Sequence, residues 1–503
     1  FGGPLLPGET STIEWVQRLP NNYFGTYFLL AEANGTWFQT DTSPDEVILP
    51  LTSPDISLSS TNTTLLSENP DISGDGRLTA YVSLVNGISD IFVSDKVTGN
   101  ITTITTGDGH STAPSISNDG RYVVFASEAT NLVPGDTNQF SDVFRYDLVN
   151  SETRRLSMAT TGGQANGGSF NPDVSQDGQF VVFESQASNL LEGDDTNFAS
   201  DIFLYSVADG NMTRLSENAT TPATGGNFNS FTPAISSDGK RVVFSSYATN
   251  LVDENGDWDF SNDDNNSAAD VFLNVINDAN ASNIGLYRVS RTYSFASYGE
   301  TNGSSFEPAI SGDGTKVAFH SKASNIPSGV GILSFTVTDP GWGYTIPPTV
   351  TITDITGAGV SATAQIDANG KLASITVNDP GSNYQAPSVA IVPDPTDTGP
   401  VVPATATANL SHPLGDVYRV DLDLLIPYLN NVTGNFSGAI IRASQSPSGV
   451  GGNDFSDEPA LNKDGSLMVF RSRANNLLPT SITRSDGHVF YNTVTTVATA
   501  SAT

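Results

Sequence analysis

The sequence predicts an all-β protein assembled from repeated four-stranded sheets, and three observations predict it. The first is composition. Across 503 residues only 15% are charged and 37% are hydrophobic, so solubility leans on Ser, Thr, Asn and Gly. Long helices would want more Ala, Leu, Glu and Lys, whereas this mixture favours strands and turns. The second is an internal repeat. The third is a turn signal, Asp-Gly, that recurs at the same place in every copy, at Asp75, Asp119, Asp177, Asp238, Asp313 and Asp464.

The copies follow one pattern: Pro-x-hydrophobic-Ser-x-Asp-Gly, an apolar run, a loop, then Asp-hydrophobic-aromatic. They read "NPDISGDGRLTAYVS" with "DIFVSD", "APSISNDGRYVVFAS" with "DVFRYD", and "NPDVSQDGQFVVFES" with "DIFLYS". The remaining three are "TPAISSDGKRVVFSS" with "DVFLNV", "EPAISGDGTKVAFHS" with "DVYRVD", and "EPALNKDGSLMVFRS" with "HVFYNT". Strand A is the segment ending in Ser. Asp-Gly then makes a tight hairpin, because Gly tolerates positive φ and Asp bonds its own backbone. Strand B, such as "YVVFAS", is apolar at successive positions, as expected of a strand covered on both faces. Strand C is the Asp-hydrophobic-aromatic run, and strand D is a segment such as "TRRLS" or "MTRLS". A four-stranded unit repeated about six times is the signature of a β-propeller.

At these residues the chain resembles the TolB-like (WD-like) propeller repeat, whose blades carry a similar Pro-x-x-Ser-x-Asp-Gly turn and a similar strand C. The resemblance covers roughly residues 68–330 and 414–495. It implies the fold. TolB has a further α/β domain with no counterpart segment here, so its envelope-complex role is not carried over. The expectation is a six-bladed propeller, and the termini could add a seventh, composite blade.

Spacing separates the two faces of the disc. The Asp-Gly turns are short and uniform, so the A–B turn face is scaffold. The distance between successive turns grows from 44 to 58, 61, 75 and 151 residues, and the growth lies in the B–C and D–A loops. A face whose loops vary while the blades stay constant is where function is expected. The largest step contains residues 331–413, which carry a second repeat, "FTVTDPGWGYTIPPTVTIT" and "ITVNDPGSNYQAPSVAIV". That repeat resembles small β repeats of phage tail and bacterial surface proteins, and implies a compact inserted β domain. Trp342, Tyr344 and Tyr384 either pack its core or form an aromatic ligand-binding platform. The chain thus divides into an N-terminal arm with closing strands (1–66), blades one to five in first part (67–330), the insertion (331–413), and the end of blade five with blade six and a C-terminal strand (414–503).

The clearest metal candidate is the fourth B–C loop, "DENGDWDFSNDDNN". Asp253, Asn255, Asp257 and Asp259 alternate, so their oxygens could converge on one calcium ion, a hard cation that takes six to eight oxygen ligands. The spacing resembles the start of an EF-hand loop, but Trp258 stands where that loop has Gly and no terminal Glu follows. A solvated acidic loop is the competing reading. Asp136, Asn138 and Asp142, and Asp194, Asp195 and Asn197, are weaker cation candidates that more simply cap their own loops. The strand C acids Asp90, Asp142, Asp201, Asp270 and Asp416 recur at one position and read as blade architecture; His488 takes that place in the sixth copy.

A net charge of -33 disfavours nucleic acid and anionic membranes as partners. The absence of Cys excludes disulfides, thiolate metal sites and cysteine nucleophiles. No apolar run is long enough for a membrane span. Nucleotide-binding loops, a nucleophile elbow and paired metal-ligating histidines are missing from the sequence. The expected role is a non-enzymatic extracellular or cell-surface protein, its leader already removed. It would bind a glycan or surface ligand, or assemble with itself through the N-terminal arm, via the loop-rich face. The alternative is a carbohydrate-binding or polysaccharide-acting hydrolase or lyase at the channel, which predicts clustered carboxylates with a His or Arg at the channel mouth.

Overall fold

The computed structural model describes residues 67–192, 197, 199–219, 224–252, 266–278, 284–291, 301–323, 326, 332–354, 358–382, 384, 387–397, 399–410, 415–429, 439–445, 451–452, 454–474, 477 and 488–493. The first antiparallel sheet holds β1 (Ser67–Ile72), β2 (Leu78–Val85), β3 (Ile88–Asp95) and β4 (Ile101–Thr103), in that order. The second holds β5 (Ser111–Ile116), β6 (Tyr122–Ser127), β7 (Asp142–Asp147) and β8 (Glu152–Arg155). The third holds β9 (Ser169–Val174), β10 (Phe180–Ser185), β11 (Asp201–Ser206) and β12 (Met212–Arg214). The fourth holds β13 (Ser230–Ile235), β14 (Arg241–Ser246), β15 (Asp270–Val275) and β16 (Gly285–Arg288). The fifth begins with β17 (Ser305–Ile310) and β18 (Lys316–Ser321).

Six strands then intervene: β19 (Ile332–Asp339), β20 (Thr349–Thr353), β21 (Ala358–Ile366), β22 (Leu372–Ser382), β23 (Ser388–Val392) and β24 (Thr405–Leu410). Among the described residues they pair only with one another, as β19–β24, β20–β23 and β21–β22, around a separate core containing Tyr344, Leu372, Ile375 and Ile391. The fifth sheet resumes with β25 (Asp416–Asp421), a short helix α1 (Leu422–Leu429) and β26 (Ile440–Arg442). Ser321 of β18 stands opposite Asp416 of β25, so the ladder runs on as if nothing had been inserted. The sixth sheet has three strands among the described residues, β27 (Ser456–Leu461), β28 (Leu467–Ser472) and β29 (His488–Thr493).

Local chemistry explains why each unit folds alike. In the first A–B turn, Ser73 Oγ donates to Asp75 Oδ1 (2.7 Å), which also accepts from the Arg77 N–H (2.9 Å). Gly76 follows at φ 68°, a left-handed conformation that Gly adopts without steric cost. The same Ser-to-Asp bond recurs at Ser117, Ser175, Ser236 and Ser311. Strand B is covered on both faces, and all six residues of β6 are buried. Its aromatic stacks on that of strand C in five sheets, with centroids 5.6–6.0 Å apart, as for Phe125 with Phe144 and Phe319 with Tyr418. Apolar clusters bridge each consecutive pair of sheets from the first to the sixth. Strand A of all six sheets lines one central cavity of about 450 Å³, which makes the molecule a β-propeller.

Candidate functional site

Buried charge pairs within the sheets engage many of the acids. Five of the six strands C carry a buried Asp at or near their start, and Asp90, Asp142, Asp201, Asp270 and Asp416 each accept from a Ser or Thr hydroxyl just beyond strand D at 2.5–2.8 Å. In four sheets an Arg at the end of strand D pairs with the same Asp, at 3.0–3.4 Å (Arg155, Arg214, Arg288, Arg442). The segments "RRLS", "TRLS", "YRVS" and "IRAS" are therefore one device, which clamps the outer strand onto its neighbour. It also settles the second B–C loop. Asp136 and Asp142, offered above as cation ligands, both bind the Arg155 guanidinium, at 2.8 and 3.0 Å, while Asn138 donates to Asp142 at 3.1 Å. The repeated acidic loop is tied down by a cation belonging to the chain itself.

The cavity wall is acidic. Glu68, Asp71, Asp173, Glu307 and Glu458 line it, and no Lys, Arg or His does among the described residues. Two of these carboxylates act as staples between sheets. Asp71 accepts from the Ile116 N–H of the next sheet at 2.7 Å, and Asp173 accepts from Ser115 Oγ (2.8 Å) on one side and the Ile235 N–H (2.9 Å) on the other. At the A–B turn end, backbone bonds run from turn to turn: Gly74 to Asn118, Gln176 to Ser237, Ser237 to Gly312 and Asp313 to Lys463. This series of bonds ties the turns of the scaffold face together from the first sheet to the sixth.

The seam between the fifth and sixth sheets differs. Glu307 accepts from the Glu458 N–H at 3.0 Å; Asp457 and Glu458 are both buried; and Arg471 Nε lies 2.7 Å from Asp457 Oδ1 and 3.5 Å from Glu458 Oε2. Burial, with Asp457 and Glu307 as added negative charge, pushes Glu458 up to about 8; burial and Glu307, against the pull of Arg473, push Asp457 up to about 7. Arg471 grips Asp457 with two nitrogens and favours its ionised form, so Glu458 is the better proton holder. His320 lies behind this group, 3% exposed, with its ring 4.9 Å from Phe455 and Nε2 without a hydrogen-bond partner. Burial lowers it to about 4, so it is neutral at ordinary pH. None of these residues was singled out from the sequence. A signal did exist: Glu precedes Pro in "SFEPAI" and "SDEPAL", where the other copies have Asn, Ala or Thr.

The singled-out residues fall as follows. Asp253, Asn255, Asp257 and Asp259 lie outside the described residues, and no group of three or more potential ligands among the described residues could hold a metal. Tyr344 and Tyr384 are 2% and 3% exposed, and their hydroxyls accept from the N–H groups of Ala404 (2.6 Å) and Val360 (3.2 Å). Trp342 is 50% exposed and bridges to Val402. The N-terminal arm lies outside the described residues. No helix among those described is long and apolar enough to cross a membrane.

No protein-family model and no curated protein matches the chain. Among solved structures it is similar to TolB from Acinetobacter baumannii, with 17% identity, a TM-score of 0.30, and coverage of 64% of this chain and 57% of that one. It is similar to a putative TolB from Agrobacterium tumefaciens, with 22% identity, a TM-score of 0.28, and coverage of 43% and 62%. An oligogalacturonate lyase in complex with manganese matches with 12% identity, a TM-score of 0.34, and coverage of 84% and 88%. The chain thus spans about three fifths of the length of the two TolB structures. At these scores the β-propeller rests on the sheets and their shared cavity rather than on the likenesses.

Proposed function

We propose that the chain is a non-enzymatic extracellular or cell-surface propeller, which binds or assembles through its loop-rich face. One observation carries this reading: the repeated polar groups are spent on the fold, while the loops of one face differ from copy to copy. The strand C acids hold strand D, and Asp71 and Asp173 staple sheets. The A–B turns bond to one another in series from the first sheet to the sixth. What varies is the opposite end, where loops lengthen and where the segment between β18 and β25 departs and returns. Calcium held by Asp253, Asn255, Asp257 and Asp259 belongs to this proposal, as does assembly through the N-terminal arm. A surface carrying -33 charges needs screening or cations before copies can associate.

The test is negative-stain electron microscopy of the full chain with calcium and again with a chelator. Filaments or lattices make it an assembly subunit. Single discs that show no turnover make it a binder. A second reading, polysaccharide cleavage at the channel, is favoured by the Glu307, Asp457, Glu458 and Arg471 group. Turnover of a polysaccharide that is abolished by Glu458→Gln would replace the first reading with the second.

A further inference from the structure

The channel mouth is not symmetric, and its asymmetry is chemical. At the loop-rich end of every sheet the leading Ser of strand A pairs with a Ser of strand B, and the residues that follow these two Ser in the chain lie diagonally across the ladder, two positions out of register. In the first and second sheets these are Glu68 with Leu84, and Thr112 with Glu128. In the fourth and fifth they are Phe231 with Tyr247, and Phe306 with Lys322. The rings form one continuous group across the seam: Phe231 to Tyr247 at 5.6 Å, Phe231 to Phe306 at 6.2 Å, and Tyr247 to Phe306 at 6.3 Å. Lys322 Nζ sits 6.0 Å from the Phe306 centroid.

This group is not all core. Tyr247 is 38% exposed, and Phe228 is 56% exposed beside the Asn229 carbonyl that accepts from the Tyr247 N–H. Lys322 is exposed, and so is Glu307, the cavity-lining residue next to Phe306. Desolvation of its carboxyl raises Glu307, and the Glu458 N–H and the Lys322 ammonium oppose that rise. In a chain of net charge -33, this corner is therefore locally balanced. It offers an ammonium donor, a carboxylate acceptor and an open aromatic face at the rim of a cavity of about 450 Å³. An anion would meet Glu307 and the acidic wall, and a cation would meet Lys322. A neutral molecule with hydroxyls to donate and accept, and a flat C–H face to lay on a ring, meets neither conflict.

We propose that the rim built from Phe231, Tyr247, Phe306, Lys322 and Glu307 is a binding site for an uncharged pyranose saccharide. The C–H face of one sugar would stack on Tyr247, and its hydroxyls would bond Lys322 and Glu307. This rests on the reading that the loop-rich face is the working face, and it names a ligand class and a place on that face.

The experiment is a screen of the full chain against neutral and uronic-acid oligosaccharides, followed by titration calorimetry on the best binder. Tyr247 is partly exposed and Lys322 exposed, so Tyr247→Ala and Lys322→Met should keep the fold, checked by unchanged thermal unfolding. Each is expected to weaken binding of a neutral oligosaccharide tenfold or more, while Trp342→Ala in the intervening segment leaves it unchanged. Binding that survives both rim variants, or that only Trp342→Ala abolishes, overturns the proposal and leaves the loop-face reading standing. A preference for uronic-acid saccharides overturns the claim of an uncharged ligand. Absence of any saccharide binding overturns the site, and the microscopy above then judges the broader reading by itself.

Discussion

Arg288 has no measurable exposure, and its partner Asp270 has none either. Taking two charges out of water is costly, and the pair is tolerable because Ser290 and Thr301 also donate to Asp270. Removing one partner strands the other. Arg288→Met is expected to lower unfolding stability by about 3–5 kcal/mol, while Arg288→Met with Asp270→Leu recovers much of it. Urea unfolding of the two variants checks this; equal stability of both would show that the charges are not coupled. Glu458 supplies a pH dependence. Its native value of about 8 lies above its ordinary 4.5, so the folded chain holds a proton that the unfolded chain releases. Its contribution is fully present below pH 4.5 and is lost as pH rises through about 8. The melting temperature should fall from pH 5 towards pH 8.5, and Glu458→Gln should flatten that fall. A melting temperature that rises over this range would contradict a proton held by Glu458 in the folded chain.

Strand A carries a bulge in every sheet, and the residue before its Pro sits in the left-handed region: Asn69, Ala113, Asn171, Thr232, Glu307 and Glu458, at φ 47–54°. The bulge turns the backbone N–H outward from its own ladder. In Thr232 and Glu458 that N–H is then bonded by a carboxylate of the preceding sheet, Glu184 and Glu307 respectively. The geometry therefore serves the joint between sheets, at a local steric cost. Asn bears that conformation far better than a β-branched residue. Thr232→Asn should raise stability by about 1 kcal/mol, the sign being the decisive point. The measurement is chemical denaturation; destabilisation would mean that the Thr232 side chain makes up for its backbone.

The propeller is continuous without residues 331–413, because β18 and β25 pair from Lys316–Asp421 to Ser321–Asp416. The strands between them have their own core. Replacing 331–413 with a short flexible linker should leave the remaining sheets folded, with a melting temperature within a few degrees of the full chain. Loss of cooperative unfolding would show that the segment supports the fifth sheet. The proposed saccharide rim spans the fourth and fifth sheets, and the intervening segment departs from the fifth, so the same variant also reports whether that segment helps to enclose the rim.

The repeat, its turns and its strands were legible in the sequence because they are local. Ser-x-Asp-Gly makes its bonds within five residues, and strand B announces its burial by an unbroken apolar run. An interval of 151 residues between turns that are otherwise 44–75 apart marks the stretch in which β19 to β24 lie. What the sequence left open is which repeated residues meet. Asp136 and Asp142 look like cation ligands until Arg155 folds back onto both. Glu307 and Glu458 are 151 residues apart, yet they share a hydrogen bond, and Phe231 meets Phe306 across a seam. The reason is circular packing. Equivalent positions of successive repeats are carried to one axis, so a substitution that looks like drift within a single copy becomes a neighbour of the next. Repetition determined the blades, and their packing around one cavity decided the chemistry at its rim.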